Sequence, residues 1–164
     1  MIGRLVHSAD FQRLLSTPPW SRSAHFAVHH LPAAPSRPRP AGKQAARQEL
    51  STDDVNKSPQ PVDDLSGRFW LGAVLPKRLA RRAVTRNLLR RQIRAALQRH
   101  AGSLPGGLWV VRLRSGFARS DFVSAASEVL RAAARGELDA ALGTAGRSAS
   151  RPDRGARATG GHAP

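Results

Sequence analysis

The chain has 164 residues, no cysteine, and 27 basic against 11 acidic residues, a formal net charge of +16. That length supports one domain with a modest core, and the missing cysteine excludes disulfides, thiolate metal sites and cysteine nucleophiles. The charge points to nucleic acid or an anionic membrane surface, but no apolar run reaches the roughly 18 residues of a transmembrane helix, so no membrane partner is expected.

Taken in order, the first dozen residues lack the apolar run of a secretory signal, and a cytoplasmic location fits. Residues 8–16 (SADFQRLLS) read as a first helix, with Ser8 as N-cap and Pro18-Pro19 as its stop. Phe11, Leu14 and Leu15 fall on one face of it. Residues 24–31 read as a strand, with Phe26 and Val28 on one face and Ala27 and His29 on the other. Residues 32–67 change character: they are rich in proline, alanine and polar residues and hold no aromatic. Such a segment buries too little apolar surface to offset its ordering entropy. It is expected to be a disordered insertion at a hairpin tip.

A second strand is expected at 68–75, ended by Pro76, and then comes the stretch PKRLARRAVTRNLLRRQIRAALQRH at 76–100. It carries Lys77, Arg78, Arg81, Arg82, Arg86, Arg90, Arg91, Arg94 and Arg99 and not one carboxylate. Leu89, Ile93 and Leu97 recur every four positions, with Ala96 beside them, as the core stripe of a helix. Arg86, Arg90 and Arg94 form a ladder along its edge, and Asn87 and Arg91 a second row further round. So many like charges repel one another on an isolated helix. A polyanion neutralises them, and phosphate backbones add counterion release. A merely solvated basic face is the ordinary alternative. The use of guanidinium over ammonium favours RNA or DNA, because arginine pairs with phosphate bidentately and stacks on bases.

Residues 102–107 are turn-rich, and 108–114 form a third strand, apolar enough to be central. A last helix is expected at 120–135, with Ser120 as N-cap, Phe122, Ala126, Val129 and Ala133 on one face, and Gly136 as C-cap. From Gly143 the composition turns to Gly, Ala, Ser, Arg and Pro, the signature of a disordered basic tail. The class is therefore α/β (α+β), a small sandwich of helices on a mixed sheet. Its single domain spans 1–31 and 68–142, with an inserted loop at 32–67 and a tail at 143–164.

Catalytic signals are nearly absent. Of six histidines, His25 and His29 share a strand face, but no third ligand accompanies them. The acids, several of them in the loop (Asp53, Asp54, Asp63, Asp64), form no evident general acid/base pair. There is no phosphate-cradling glycine loop and no nucleophile elbow. No catalytic residue and no protein metal ligand are expected.

The run from Lys77 to Arg94 resembles the signature helix of the bacterial ribonuclease P protein subunit. That family carries two basic residues after its second strand, then an Arg-Asn-Arg core followed by Lys/Arg-Arg. The SADF segment is similar to the family's Ser/Asn-x-Asp-Phe start of the first helix. The likeness continues through 108–114 and the last helix, leaving out the 32–67 loop and the tail.

The resemblance implies a two-layer sandwich in helix-strand-strand-helix-strand-helix order, with an unusual left-handed β-α-β crossover. It implies a protein that is not itself the catalyst. The RNA subunit removes the 5′ leader of precursor tRNA with RNA-bound Mg²⁺, and the protein binds that RNA and the leader. No obligate protein partner follows. Arg81, Arg82, Arg90, Arg91 and Arg94 match positions facing the catalytic RNA. Phe11, Leu15, His29, Lys77, Arg86 and Asn87 match the cleft that grips the leader, where unpaired bases stack on rings. Three departures stand out: Leu88 replaces the third residue of the Arg-Asn-Arg core, Leu15 stands where a second cleft aromatic is usual, and the 32–67 loop is much longer than the family's connection. Two other classes remain open: a ribosomal or nucleoid-associated structural protein, and a self-contained nuclease, against which the lack of paired carboxylates argues.

Overall fold

A computed structural model describes residues 1–36, 65–124 and 127–149. The elements are β1 (Ile2–Arg4), α1 (Ser8–Ser16), β2 (Ser21–Arg22), β3 (Phe26–Leu31), β4 (Phe69–Val74), α2 (Ala83–His100), a short 3₁₀ turn (Ala101–Ser103), β5 (Gly107–Leu113) and α3 (Glu128–Ala149). The strands form one mixed sheet in the order β1-β4-β5-β3-β2. β5 runs parallel to β4 and antiparallel to β3, and β1 adds in parallel beside β4. Parallel neighbours cannot be joined by a tight turn, and α2 makes the crossover from β4 to β5.

β5 is central, as its apolar run requires: six of its seven residues, Arg112 excepted, are buried. Its side chains alternate between two cores. Trp109, Val111 and Leu113 join Phe26, Val28 and the apolar faces of α2 and α3 on one side of the sheet. Leu108 and Val110 join Leu5 and Leu14 on the other, beneath α1. Helix α2 buries Leu89, Ile93, Ala96 and Leu97, the expected stripe, and Leu88 as well. Each large apolar side chain so buried contributes about 1.5–3 kcal/mol. The like-charge pairs Arg86/Arg90 and Arg90/Arg94 each oppose this by only about 0.2–0.5 kcal/mol. The core wins, so α2 is formed before any polyanion arrives.

Several boundaries differ from expectation. Helix α1 has the expected span, but its N-cap is His7, whose side chain makes no capping bond. Helix α2 begins at Ala83, and residues 77–79 form a turn before it. Helix α3 is displaced and longer than the expected 120–135. Ser120 hydrogen-bonds Asp121 at 3.4 Å, whereas Ser127 Oγ accepts the Leu130 N–H at 3.1 Å and starts the helix. The buried face is Leu130, Ala134, Leu138, Ala141, Leu142 and Ala145, while Val129 is 63% exposed. Ala126 lies outside the described residues. The helix passes straight through Gly136 and Gly143 to Ala149. A mid-helix glycine costs about 1 kcal/mol, which burial of Leu138 and Leu142 exceeds. The tail expected from Gly143 is thus helical to Ala149, and its remainder, like residues 37–64 of the expected loop, lies outside the described residues.

Two histidines of β3 are core residues. His29 and His30 are 5% and 4% exposed. His30 packs against Trp20 and Trp109, with ring centroids 4.5 and 4.3 Å away, and its Nε2 lies 3.0 Å from the Gly106 carbonyl. Burial pushes both imidazoles below their usual range, against the pull of the Gly106 carbonyl at His30 and the Thr17 carbonyl at His29. Well above about pH 6.5 neither the folded nor the unfolded state protonates them. As pH falls below that value the unfolded chain takes up protons that the folded chain refuses, so stability falls. The melting temperature should therefore decline between about pH 7 and pH 5.5. The double variant His29→Gln, His30→Gln should flatten that decline at constant ionic strength. An unchanged slope in the variant would show that these two rings do not cause it.

Candidate nucleic-acid interface

The basic segment is two structures in series. Between β4 and α2 the chain turns, with the Leu79 and Ala80 N–H groups each donating to the Pro76 carbonyl at 3.0 Å. Arg82 then occupies the N-cap of α2 without a side-chain capping bond, and no acid stands in the first helical turn. Arg86 reaches back from the helix and its Nη1 donates to the carbonyls of Ala80 (2.8 Å) and Arg81 (2.7 Å). It therefore fastens the turn to the helix. Arg94 Nη2 donates to the Ile2 carbonyl at 2.8 Å and ties α2 to the edge strand β1. Arg90 Nη1 donates to Asn87 Oδ1 at 3.3 Å. Lys77, Arg81, Arg82, Arg90 and Arg91 are exposed.

What this segment lacks is acid. Among the described residues, eight of the nine cations from Lys77 to Arg99 have no carboxylate oxygen within 4.0 Å. Only Arg99, at the far end, is paired, with Asp139 at 2.7 Å. Two of the three arginines on α3 are paired, by contrast: Arg131 with Glu128 at 2.6 Å and Arg135 with Asp139 at 3.8 Å. Glu128, Glu137 and Asp139 lie on α3, and among the described residues only the C-terminal end of α2 meets one of them, through Arg99 and His100 against Asp139. Leu88, which interrupts the cationic run, is 7% exposed and belongs to the same buried cluster as Leu130 and Ala134. Leucine at the position where the resemblance leads one to expect arginine thus adds an apolar side chain to the core.

Of the residues expected to grip the leader, Phe11, Leu15 and His29 lie on the opposite face of the sheet, under α1, whereas Arg86 and Asn87 stand on α2 and Lys77 in the turn before it. Phe11 is half-buried and its ring covers Gly72 of β4. A Cβ added at Gly72 would run into Phe11 Cε1 and lie 2.7 Å from Cζ, so the ring's approach requires glycine there. Leu15, also half-buried, packs in the same cluster as Trp70 and Val74. His29 shares this face, but its ring is covered. Its Nδ1 lies 3.1 Å from the Thr17 carbonyl, just past the end of α1. The expectation of an open stacking ring at His29 is therefore corrected: the side chain moors α1 to the sheet. Asp10 moors the other end. Fully buried, its carboxylate accepts from Ser36 N–H (3.0 Å), Ser36 Oγ (2.6 Å) and Arg13 Nη1 (3.2 Å). Burial raises its carboxyl, yet those hydrogen bonds prevail and hold it below the usual range.

The structure adds residues that sequence reasoning did not single out. Trp70 packs in the α1-side cluster, on the face that Gly72 and Val74 share. Arg112 is the exposed residue of β5, in register with Val74 on one side and Ala27 on the other. Arg22 pairs with Ala27 from β2. Both arginines add to the field that keeps His29 neutral. Strand parity was the available signal, since Arg112 has the parity of Leu108 and Val110, the α1 face. Lys77 stands in the turn that leaves β4 and so links the two groups along the chain. Among the described residues no set of three His, Asp or Glu side chains is placed to hold a metal, and no helix is long and apolar enough to cross a membrane.

A preformed helix whose Arg90, Arg91 and Arg94 have no carboxylate partner among the described residues, with a sheet face bearing a half-buried aromatic and two arginines likewise unpaired with acid there, has the pattern of a polyanion-binding domain of the RNA-binding class. The Ribonuclease P family model matches residues 3–136. The ribonuclease P protein component of Paraburkholderia xenovorans (strain LB400) is 31% identical over 148 residues, 90% of this chain and 84% of that protein. That of Bordetella parapertussis is 44% identical over 87 residues, 52% of this chain and 67% of that protein. A solved structure of the Staphylococcus aureus RNase P protein superposes with a TM-score of 0.49 at 20% identity, covering 87% of this chain and 94% of that one. The chain belongs to the ribonuclease P protein component family.

If the Phe11 ring fills the space above Gly72, Gly72→Ala should cost about 1–3 kcal/mol in urea unfolding, and nearly nothing in a Phe11→Ala background. Equal costs in the two backgrounds would show that something other than this ring occupies the space.

Proposed function

We propose that the chain is the RNA-binding subunit of a ribonuclease P that removes the 5′ leader from precursor tRNA. In this reading the exposed cations of α2, Arg90 and Arg91 foremost, with Arg81, Arg82 and Arg94, hold the RNA subunit. The α1 face of the sheet receives the single-stranded leader, with bases against Phe11 and Leu15 and phosphates met by Arg22, Arg112 and Lys77. Arg86 and Asn87 fix the turn and the Arg90 side chain between these surfaces, and His29 and Asp10 keep α1 in place.

One observation carries this proposal: eight cations lie in one segment with no carboxylate partner among the described residues, on a helix that its own core already stabilises and on the turn that leads into it. Such a surface gains free energy from phosphate without having to fold. The phosphodiester chemistry is assigned to the RNA. Mg²⁺ takes oxygen ligands from carboxylates and phosphates, and the basic face offers none, so this reading also places the Mg²⁺ on the RNA. The protein's contribution is to tighten the hold on precursor over mature tRNA.

Two variants test the division of labour. Arg90→Ala with Arg91→Ala should weaken binding to a bacterial ribonuclease P RNA and reduce the slope of log K against log salt by about 1.5–2. An unchanged slope would remove those residues from the interface. Phe11→Ala should weaken precursor tRNA binding by the holoenzyme at least about fivefold, the loss of one stacked base, and leave mature tRNA affinity as it was. An equal loss for both would contradict the leader role.

A further inference from the structure

A third concave surface shares only Arg81 and Arg82 with these two faces. Between the turn that precedes α2 and the segment that follows β5 lies a pocket of about 300 Å³. Arg78, Arg81 and Arg82 line it from the turn, Arg119 from the opposite wall, and Phe117 and Phe122 supply its apolar side. The two walls meet at Gly116, where an added Cβ would lie 2.7 Å from the Leu79 carbonyl oxygen. Glycine there lets the segments close on each other.

The aromatic side is built rather than incidental. Phe117 stacks on the His25 ring, with centroids 4.0 Å apart and planes 11° from parallel. Phe122 meets Phe117 edge-on at 5.3 Å. His25 is itself anchored to α3, its Nδ1 2.6 Å from Glu137 Oε1. On the cationic side, none of the four arginines has a carboxylate within 4.0 Å among the described residues, and no acid lines the pocket. The volume sits at the low end of the roughly 300–1,000 Å³ of pockets that hold small organic ligands. Guanidinium forks match phosphate oxygens, and aromatic side chains match the flat face of a base. A ligand satisfying both is a nucleotide.

We propose that this pocket takes one unpaired nucleotide extruded from the bound RNA, its phosphate among Arg78, Arg81, Arg82 and Arg119 and its base against Phe122. The inference rests on the ribonuclease P reading only in naming RNA as the source of the nucleotide.

The test uses the full chain, labelled with ¹⁵N and titrated separately with AMP, with ribose 5-phosphate, and with two RNA hairpins of equal length, one fully paired and one with a single-nucleotide bulge. AMP should shift the amide signals of Gly116, Phe117, Arg119 and Phe122 and bind at least about fivefold more tightly than ribose 5-phosphate. The bulged hairpin should move the same signals and the paired one should not. Phe122→Ala should abolish the preference for AMP. Arg119→Glu, at an exposed position where folding is not at stake, should weaken AMP at least about fivefold. Equal affinity for AMP and ribose 5-phosphate, or shifts spread over Arg90, Arg91 and Arg94 instead, would overturn the pocket. AMP selectivity without preference for the bulged hairpin would overturn RNA as its source. Arg90→Ala with Arg91→Ala should leave AMP affinity unchanged, so loss of RNA-subunit binding in that variant bears on the ribonuclease P reading and not on the pocket.

Discussion

The architecture depends on a separation between what holds α2 in place and what α2 displays. Leu88, Leu89, Ile93, Ala96 and Leu97 seat the helix on the sheet and on α3. That apolar contact outweighs the repulsion among its arginines by several fold. Among the described residues that charge, Arg99 apart, is left without a carboxylate partner, and in the proposed reading its compensation falls to RNA. Had acids on α3 been placed opposite Arg90 and Arg91 as Asp139 is opposite Arg99, the helix would be equally well packed and of little use to a phosphate backbone.

The sheet makes a second separation. Because side chains of β5 alternate, one strand supports two independent cores: the α2/α3 core through Trp109, Val111 and Leu113, and the smaller α1 core through Leu108 and Val110. The smaller core is the one left partly open. There α1 is moored at its ends, by Asp10 to Ser36 and by Thr17 to His29, while Phe11 and Leu15 between them stay half-buried. Rigid moorings around an incompletely covered apolar patch are what a surface for unpaired bases requires.

Much of this could be read from the chain alone. The span of α1, the strands β3, β4 and β5, the central place of β5 and the core stripe of α2 all follow from period and composition, and the basic run with its Arg-Asn pair pointed to the family. The failures have physical causes. β1 and β2 hold three and two residues, too few for alternation to register, and exist because edge pairing satisfies their backbones. The start of α3 was misplaced because Phe122 looked like the first residue of a helical face, whereas it packs beside Phe117 in the segment before the helix. The extent of α3 was missed because glycines at 136 and 143 read as stops, and only tertiary burial of Leu138 and Leu142 shows why they are not. Strand parity placed His29 on the correct face of the sheet, but parity says nothing about what covers that face. The back-bonding of Arg86 to Ala80 and Arg81 depends on a turn that helical periodicity had extended into the helix.

The central claim is that this protein completes an RNA catalyst. The direct measurement is cleavage of a precursor tRNA at low Mg²⁺ by a bacterial ribonuclease P RNA, with and without the chain, alongside the chain alone. Cleavage at the leader junction that appears only when protein and RNA are combined, with no activity from the protein by itself, is the predicted result. RNA binding without stimulation, or cleavage by the protein in the absence of RNA, would contradict it.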